Sequence, residues 1–256
     1  MRRDVMKTDA EIFASASVVG GKESEGPLGN LFDLRDQTDR FGMKTWEKSE
    51  SEMQRLSLNT ALAKGEVTPG EVDVLFAGDL LNQCVGSAYG LQDFGIPYIG
   101  LYGACSTCAE GLLLSSLFAS YGMCKIAATV TSSHYCSAER QYRTPLEYGG
   151  QRPPTGQWTV TGAGAFAVSF ELEDALRAAS EKDGYIPEIG EVVVGRIIDA
   201  GITDSSNMGA AMAPAAADTI ARYLQDTGTT PQDYDLIATG GTIRAAADLL
   251  KGEQAK

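Results

Sequence analysis

Helix-length and strand-length apolar segments alternate along this chain. Residues 46–64 and 210–226 carry Leu, Ile and Tyr at helical spacing, which predicts two helices. The first half adds a buried strand that ends at Gly78 and then, in order, a strand in 96–102, a helix over 106–121 and strands over 125–131 and 159–170. Because parallel strands are joined by helical crossovers, this order predicts an α/β fold with a mostly parallel sheet covered on both faces.

One segment of the chain is repeated. Thr68–Gly78 reads TPGEVDVLFAG and Thr230–Gly240 reads TPQDYDLIATG, and a helix-length stretch precedes each copy. Each copy predicts a turn, an acidic residue, a buried strand and a glycine. The alternative is that the two segments are similar by chance, because helix-to-strand turns often carry Thr, Pro and acidic residues.

The repeat predicts two related βαβ halves, residues 1–175 and 176–256. Residues 241–256 leave room for one helix, so we expect the second half to be incomplete.

Composition narrows the classes of function. Thirty-four acidic against 21 basic residues give a net charge of −13, which disfavours nonspecific binding to nucleic acid or to an anionic lipid surface. The five cysteines are an odd number at low density, so we expect them to be reduced. Cys105 and Cys108 form a CxxC pair without a second pair or a histidine cluster, so we expect no metal site and no cofactor.

Neither an export signal nor a membrane span is expected. The apolar stretch 12–19 is preceded by Asp9 and Glu11 and contains serines, unlike the core of a signal peptide. No run of about 18 apolar residues is present, so any membrane association would be peripheral or through a partner.

Cys105 is the leading candidate for chemistry. A buried strand ends near Gly100, and a long helix of small and apolar residues begins at Ser106. This places the thiol at a helix amino terminus, where the dipole and free amides favour a thiolate or a bound anion. The alternative is a small buried residue between helix and sheet.

Other candidates also follow predicted strands. Asp79 and Asn82 come directly after the strand that ends at Gly78, where they would contact a ligand or cap the next helix. His134, the only histidine, follows the strand over 125–131 and would pair with Cys105 for nucleophilic catalysis or serve as a structural residue. Thr161 lies in a glycine-rich strand that a ligand or another backbone approaches closely. Arg140 and Arg143 are plausible carboxylate partners or simply a solvated face.

Several motifs in order resemble the stage V sporulation protein AD family of spore-forming Firmicutes. The matching segments span about residues 15–240 and are EGPLG at 25–29, AGDLLNQ at 77–83, GACST at 103–107, TSSH at 131–134, YGGQ at 148–151 and AMAPAAAD at 211–218. That family resembles thiolases and ketoacyl synthases in fold, which implies two βαβ halves in a layered αβαβα arrangement. The family continues well past Gly240, where this chain has a short tail.

The resemblance implies a function. It implies binding of dipicolinate (pyridine-2,6-dicarboxylate) and its uptake into the developing spore, by a protein made in the forespore and peripheral to the spore inner membrane. The implied partners are the other membrane proteins of the uptake channel and a second copy of the chain in a homodimer. The implied ligand-binding residues are Asp79, Asn82, Cys105, His134 and Thr161, without an enzymatic role.

Two alternatives stay open. Cys105 falls where thiolase-type enzymes place their nucleophile, so the chain would be an acyltransferase acylated by thioesters. The other alternative is a structural subunit whose pocket is vestigial.

Overall fold

The computed structural model describes residues 4–143, 147–150, 159–174, 176–177, 185–204 and 207–239. Contacts within the chain define two compact units, Thr8–Gly190 and Met1–Lys7 with Glu191–Lys256. Each unit is described separately. The predicted boundary after residue 175 comes from the repeat, which relates two halves of the sequence. Contacts within the chain do not test this relationship, so the boundary stays a prediction.

The strands form one mixed sheet in the order β2-β1-β6-β5-β3-β4, and β7 also pairs with β1. Their bounds are β1 Val5–Gly20, β2 Leu34–Asp36, β3 Val74–Gly78, β4 Tyr98–Gly100, β5 Ile126–Ser133, β6 Gly162–Ser169 and β7 Glu188–Val193. β3 runs parallel to both β4 and β5, whereas β6 runs antiparallel to both β5 and β1.

The helices of the larger unit lie between its strands along the chain. Their bounds are α1 Gly21–Ser24, α2 Trp46–Lys64, α3 Val85–Leu91, α4 Thr107–Ser120 and α5 Arg140–Arg143. The helices predicted over 46–64 and 106–121 are therefore confirmed. α2 begins at a cap in which the side chain of Thr45 accepts a hydrogen bond from the amide of Lys48.

The two faces of the sheet carry separate apolar cores. Because side chains alternate along a strand, Leu75 and Ala77 of β3 pack in the cluster that contains Leu58 and Ala61 of α2. Val74 and Phe76 of the same strand pack against Leu114 and Phe118 of α4. β3 is buried along its whole length between these helical layers, which explains its unbroken apolar sequence.

The alternation of elements predicts mostly parallel strands, and the pairs β1–β2, β3–β4 and β3–β5 are parallel, but β6 makes the sheet mixed. The chain between Ser133 and Gly162 leaves β5 and enters β6 at the same end of the sheet, since Ser133 pairs with Gly162. A connection that returns at one end gives an antiparallel pair. The predicted strand over 159–170 is otherwise confirmed by β6.

The smaller unit contains the helix α6, Met208–Thr227, which confirms the helix predicted over 210–226. Asn207 caps it by accepting a hydrogen bond from the amide of Ala210. On its surface, Asp218 accepts hydrogen bonds from both Arg196 and Arg222.

Both copies of the repeat form the same turn. Thr68 and Glu71 form a capping box around the 3₁₀ helix Pro69–Glu71, and Thr230 and Asp233 form one around Pro231–Asp233. The strand predicted in the second copy is wrong, because residues 236–239 form no strand and Leu236 is 79% exposed. In the first copy β3 is paired on both sides, whereas no strand flanks 236–239 among the described residues.

Candidate functional site

The sheet topology brings the sequence-predicted candidates to one edge. Asp79 follows β3, Cys105 follows β4 and His134 follows β5, and these three strands are parallel neighbours. Asn82 lies in the loop after Asp79, and Thr161 precedes β6, whose start pairs with the end of β5. We call this edge, where β5, β3 and β4 end and β6 begins, the carboxyl edge.

Cys105 is exposed at the start of α4. It lies in a single 3₁₀ turn, Ala104–Ser106, that leads directly into the helix. Ala104 has a left-handed φ of 48°, which is unfavourable for a residue with a side chain and is common at functional sites. The hydroxyl of Thr107, the first residue of α4, is buried and has no hydrogen-bond partner among the described residues.

A second loop at the carboxyl edge shares this unusual backbone. Gln83 and Cys84 have φ values of 56° and 53°, so two consecutive residues with side chains are left-handed. Asn82, which precedes them, is exposed. The Cys84 thiol is buried and donates to the carbonyl oxygen of Leu101 at 3.0 Å, which ties this loop to the segment before Cys105. Burial raises the pKa of the Cys84 thiol.

Asp79 is engaged inside the protein. One carboxylate oxygen accepts from the amide of Leu81 at 2.8 Å, and the other accepts from the amide and hydroxyl of Ser87 at 2.7 and 2.6 Å. Ser87 lies in the first turn of α3, so the carboxylate caps this helix from outside it. Burial raises the pKa of Asp79, although these hydrogen bonds oppose the shift.

Glu50 and Gln54 of α2 form a buried polar network that the sequence analysis did not identify. Glu50 accepts hydrogen bonds from the hydroxyls of Ser132 at 2.8 Å and Ser137 at 2.6 Å. Gln54 donates to the hydroxyls of Ser87 at 2.9 Å and Ser132 at 2.7 Å. Both side chains are fully buried. The signal for them is their spacing of four residues on the helix face that also carries Met53 and Leu58.

Glu50 is a fully buried acid. Burial is the main cause that raises its pKa to about 8, and the negative charge of Asp79 adds to the shift. The charged groups acting on it within the described part of the chain are Asp79 and Glu47, both acidic. Glu50 is therefore protonated at neutral pH.

His134 is a buried residue held by backbone groups. Its Nδ1 accepts from the amide of Cys136 at 3.1 Å, so Nε2 carries the proton and donates to the carbonyl oxygen of Asp39 at 2.8 Å. Its ring lies 5.3 Å from that of Trp46, over which the Arg40 guanidinium stacks at 3.2 Å. These contacts favour the structural interpretation of His134 over pairing with Cys105.

Thr161 is also buried. Its hydroxyl accepts from the amide of Tyr135 at 3.3 Å, and its carbonyl accepts from the amide of Gly20 at 2.9 Å. The carboxyl edge therefore has two layers of candidates. Asn82 and Cys105 are exposed, whereas Asp79, His134 and Thr161 form the buried layer.

One cationic segment joins the carboxyl edge. The amide of Glu139 donates to the carbonyl oxygen of Leu80 at 2.9 Å, which attaches the loop after β5 to the loop after β3. The next residue, Arg140, begins α5 and is exposed. Arg143 donates from Nε to the carbonyl oxygen of Ala138 at 2.7 Å and so holds this loop in shape.

In the part of the chain that the structure describes, no group of three or more His, Cys, Asp and Glu side chains is arranged to hold a metal ion. No described helix has the length and apolar character needed to cross a membrane.

The arrangement suits an anionic ligand better than proton-transfer catalysis. The exposed layer offers the side-chain amide of Asn82, the adjoining loop offers the Arg140 guanidinium, and the positive end of the α4 dipole lies beside Cys105. The one histidine that would serve as a base for Cys105 is buried, with both ring nitrogens in backbone hydrogen bonds.

Comparisons with known proteins agree with the sequence resemblance. The family model described as stage V sporulation protein AD matches residues 2–252. The chain is 41% identical over 238 residues to stage V sporulation protein AD of Bacillus subtilis (strain 168), covering 93% of this chain and 67% of that protein.

Solved structures of condensing enzymes share the fold. 3-Oxoacyl-[acyl-carrier-protein] synthase III from Aquifex aeolicus VF5 is similar with a TM-score of 0.57 at 16% identity, over 94% of this chain and 81% of that one. Cerulenin-bound OleA of Xanthomonas campestris is similar with a TM-score of 0.56 at 13% identity, over 98% of this chain and 82% of that one. The predicted thiolase-like α/β fold is confirmed.

Proposed function

The chain belongs to the stage V sporulation protein AD family, and we propose that it binds dipicolinate at the carboxyl edge. The observation that carries this proposal is the placement of Cys105 and Asn82, both exposed, after neighbouring parallel strands. Ligands of α/β sheets bind at that end of the strands. Asp79, His134 and Thr161 are proposed to support the site from the buried layer.

Dipicolinate matches the donors of the exposed layer. It carries two carboxylates on either side of a pyridine nitrogen, so it needs hydrogen-bond donors and positive potential in one place. The positive end of the α4 dipole favours one carboxylate, and the guanidinium of Arg140 favours the other. The net charge of −13 does not oppose this, because local dipoles act at short range.

The proposed role is uptake of dipicolinate into the developing spore. The protein would act at the spore inner membrane as a peripheral component, together with the membrane proteins of the uptake channel. The family's place among sporulation proteins supports this role.

A homodimer is proposed as the assembled form. β4 ends the strand order, and its other side has no partner within the described residues. Tyr98 and Ile99 of this strand and the nearby Tyr102 are exposed. An unpaired strand with exposed apolar side chains favours association with a second copy.

Acyl transfer is the second candidate, and the exposure of Cys105 favours it. A thiol at a helix start that solvent reaches is open to acylation by a thioester. Against it, the ring nitrogens of His134 are held by Asp39 and Cys136, so another base would have to activate the thiol.

Two measurements separate these functions. Calorimetric titration with dipicolinate should give saturable binding, and intact-protein mass spectrometry after incubation with acetyl-coenzyme A should give no adduct. An acetyl adduct on Cys105 without dipicolinate binding would favour the acyltransferase, with the four other cysteines as internal controls. Neither signal would favour a structural subunit with a vestigial pocket.

Paired variants locate the binding. Cys105→Ala and Arg140→Gln should each weaken dipicolinate affinity, by about tenfold or more for the lost charge-assisted bond of Arg140. Lys125→Gln is the matched control, because Lys125 is exposed and precedes β5 at the opposite end of the sheet. Equal affinity in all three variants would place the site elsewhere.

A further inference from the structure

The buried polar network of α2 contains an acid, Glu50, that contacts the loop after β5. We infer that Glu50 is a positioning residue that holds the loops of the carboxyl edge in their binding arrangement only while it is protonated. This inference rests on the proposed function, since it concerns the affinity of that same site, and its structural part is tested without ligand.

Glu50 joins α2 to β5 and to the loop that follows it. Its two carboxyl oxygens contact the hydroxyls of Ser132, near the end of β5, and Ser137, three residues beyond His134. The same loop continues to Glu139, whose amide binds Leu80 beyond β3. The loop that presents Arg140 is therefore attached to helix α2 through Glu50.

Gln54 extends this attachment to the second loop. It donates to Ser132 and to Ser87, and Ser87 donates to Asp79, the residue that caps α3. Loops carrying Asn82 and Arg140 thus share one buried hydrogen-bond network centred on α2. A change at Glu50 is transmitted to both through contacts of 2.6–2.9 Å.

The network accommodates a protonated acid. With Glu50 protonated, Oε2–H donates to the Ser137 hydroxyl, whose own proton then goes to the carbonyl oxygen of His134 at 3.3 Å. Ser132 still donates to the other oxygen, Oε1. All polar groups of the acid are satisfied in this state.

Ionisation creates an unpaired buried charge. Asp79 faces Glu50 from the end of β3, and Glu47 faces it from the preceding turn of α2. The thiol of Cys84 lies within range of the same charge. A carboxylate fully buried beside acidic groups favours opening of its surroundings to water. The segment bound directly to this carboxyl is the loop over 134–139, which is largely buried and leads to the exposed Arg140.

The test compares dipicolinate affinity at pH 6.5 and pH 9 in the wild type, Glu50→Gln and Cys105→Ser. The ligand carboxylates stay ionised over this range. With a Glu50 pKa of about 8, most molecules have protonated Glu50 at pH 6.5, and roughly one in ten has it at pH 9. Because only these molecules bind in our account, the wild type should bind about tenfold more weakly at pH 9. Glu50→Gln, whose amide nitrogen donates where the acid proton did, should show the same affinity at both values.

Cys105→Ser separates Glu50 from thiol ionisation, because thiols titrate in the same range. Its affinity should still fall at pH 9. A pH effect that persists in Glu50→Gln, or disappears in Cys105→Ser, would overturn the inference.

Amide hydrogen exchange supplies the readout without ligand. The amides of Ser137, Ala138 and Glu139 are hydrogen-bonded, so their exchange, corrected for intrinsic rates, reports opening of this loop. Their protection should fall above pH 8 in the wild type and stay constant in Glu50→Gln. If dipicolinate does not bind at pH 6.5, the proposed function fails. The comparison of amide protection between the wild type and Glu50→Gln then decides the role of Glu50 by itself. Equal protection in both proteins would refute it.

Discussion

The Sγ atom of Cys84 lies 3.0 Å from the carbonyl oxygen of Leu101, and this contact joins the loops that follow β3 and β4. One loop contains left-handed Gln83 and Cys84, and the other leads to left-handed Ala104. Backbone strain of this kind persists only where surrounding contacts hold it. The buried thiol is one such contact, and it stabilises the loops on which Asn82 and Cys105 lie.

Cys84→Ala should lower the free energy of unfolding by about 1–3 kcal/mol, because it removes a buried group and its hydrogen bond. Urea denaturation measures this change. Cys105→Ala is the matched control and should change stability by less than about 0.5 kcal/mol, since its thiol is exposed. Equal stability of the two variants would show that the Cys84 contact does not hold the loops.

Gly78→Ala should destabilise the protein by about 1–3 kcal/mol or more. A Cβ at this position would overlap the carbonyl oxygen of Leu101 and lie 2.7 Å from Cγ2 of Thr107, so α4 would have to move. Thermal unfolding measures the change. Gly70→Ala is the control, because a Cβ there meets no atom within 4 Å. A stable Gly78→Ala protein would mean that α4 does not approach β3 this closely.

Glu50 should make stability fall as pH rises. Its pKa is raised from 4.5 to about 8, so between these values the unfolded chain releases a proton that the folded protein retains. Wild-type stability should therefore fall by roughly 3–5 kcal/mol, relative to Glu50→Gln, between pH 4.5 and pH 8.

Denaturation series at several pH values test this dependence. Glu25→Gln is the control, because Glu25 is exposed and its replacement should leave the wild-type slope unchanged. A constant stability difference between the wild type and Glu50→Gln would mean that Glu50 is ionised in the fold.

The two repeated turns should titrate alike. Hydrogen bonds from Thr68 lower the pKa of Glu71, and hydrogen bonds from Thr230 lower the pKa of Asp233. Each turn is thus stabilised at neutral pH and loses this contribution as pH falls through the lowered pKa. Thr68→Val and Thr230→Val should each raise the pKa of the paired carboxyl, as measured by carbon NMR titration. A shift in the first turn only would show that the second capping box does not form.

The sequence predicts the helices and strands of the larger unit well where local pattern and burial agree. The helix over 46–64 and the strand that ends at Gly78 are examples, since both have long apolar faces in contact with the core. The strand β1 was not predicted, because its 16 residues mix Lys7, Asp9 and Glu11 with small apolar residues. Its position in the sheet comes from pairing with β6, a contact distant in sequence.

The candidate site was predicted only in part. The alternation of strands and helices predicts parallel strands, whose carboxyl ends lie at one edge of the sheet. The placement of Cys105, Asp79 and His134 at that edge follows from this prediction. The burial of Asp79 and His134 does not follow, because it depends on partners such as Ser87 and Asp39. Glu50 lies outside every motif of the sequence, and its partner Ser137 lies 87 positions away, so helical spacing alone does not reveal this contact.

A crystal structure of the complex with dipicolinate tests the proposed site most directly. We predict ligand density at the carboxyl edge, with one carboxylate at the start of α4 beside Cys105 and the other within hydrogen-bond distance of Arg140. Density at another surface, or none at a ligand concentration that saturates the calorimetric signal, would contradict this account.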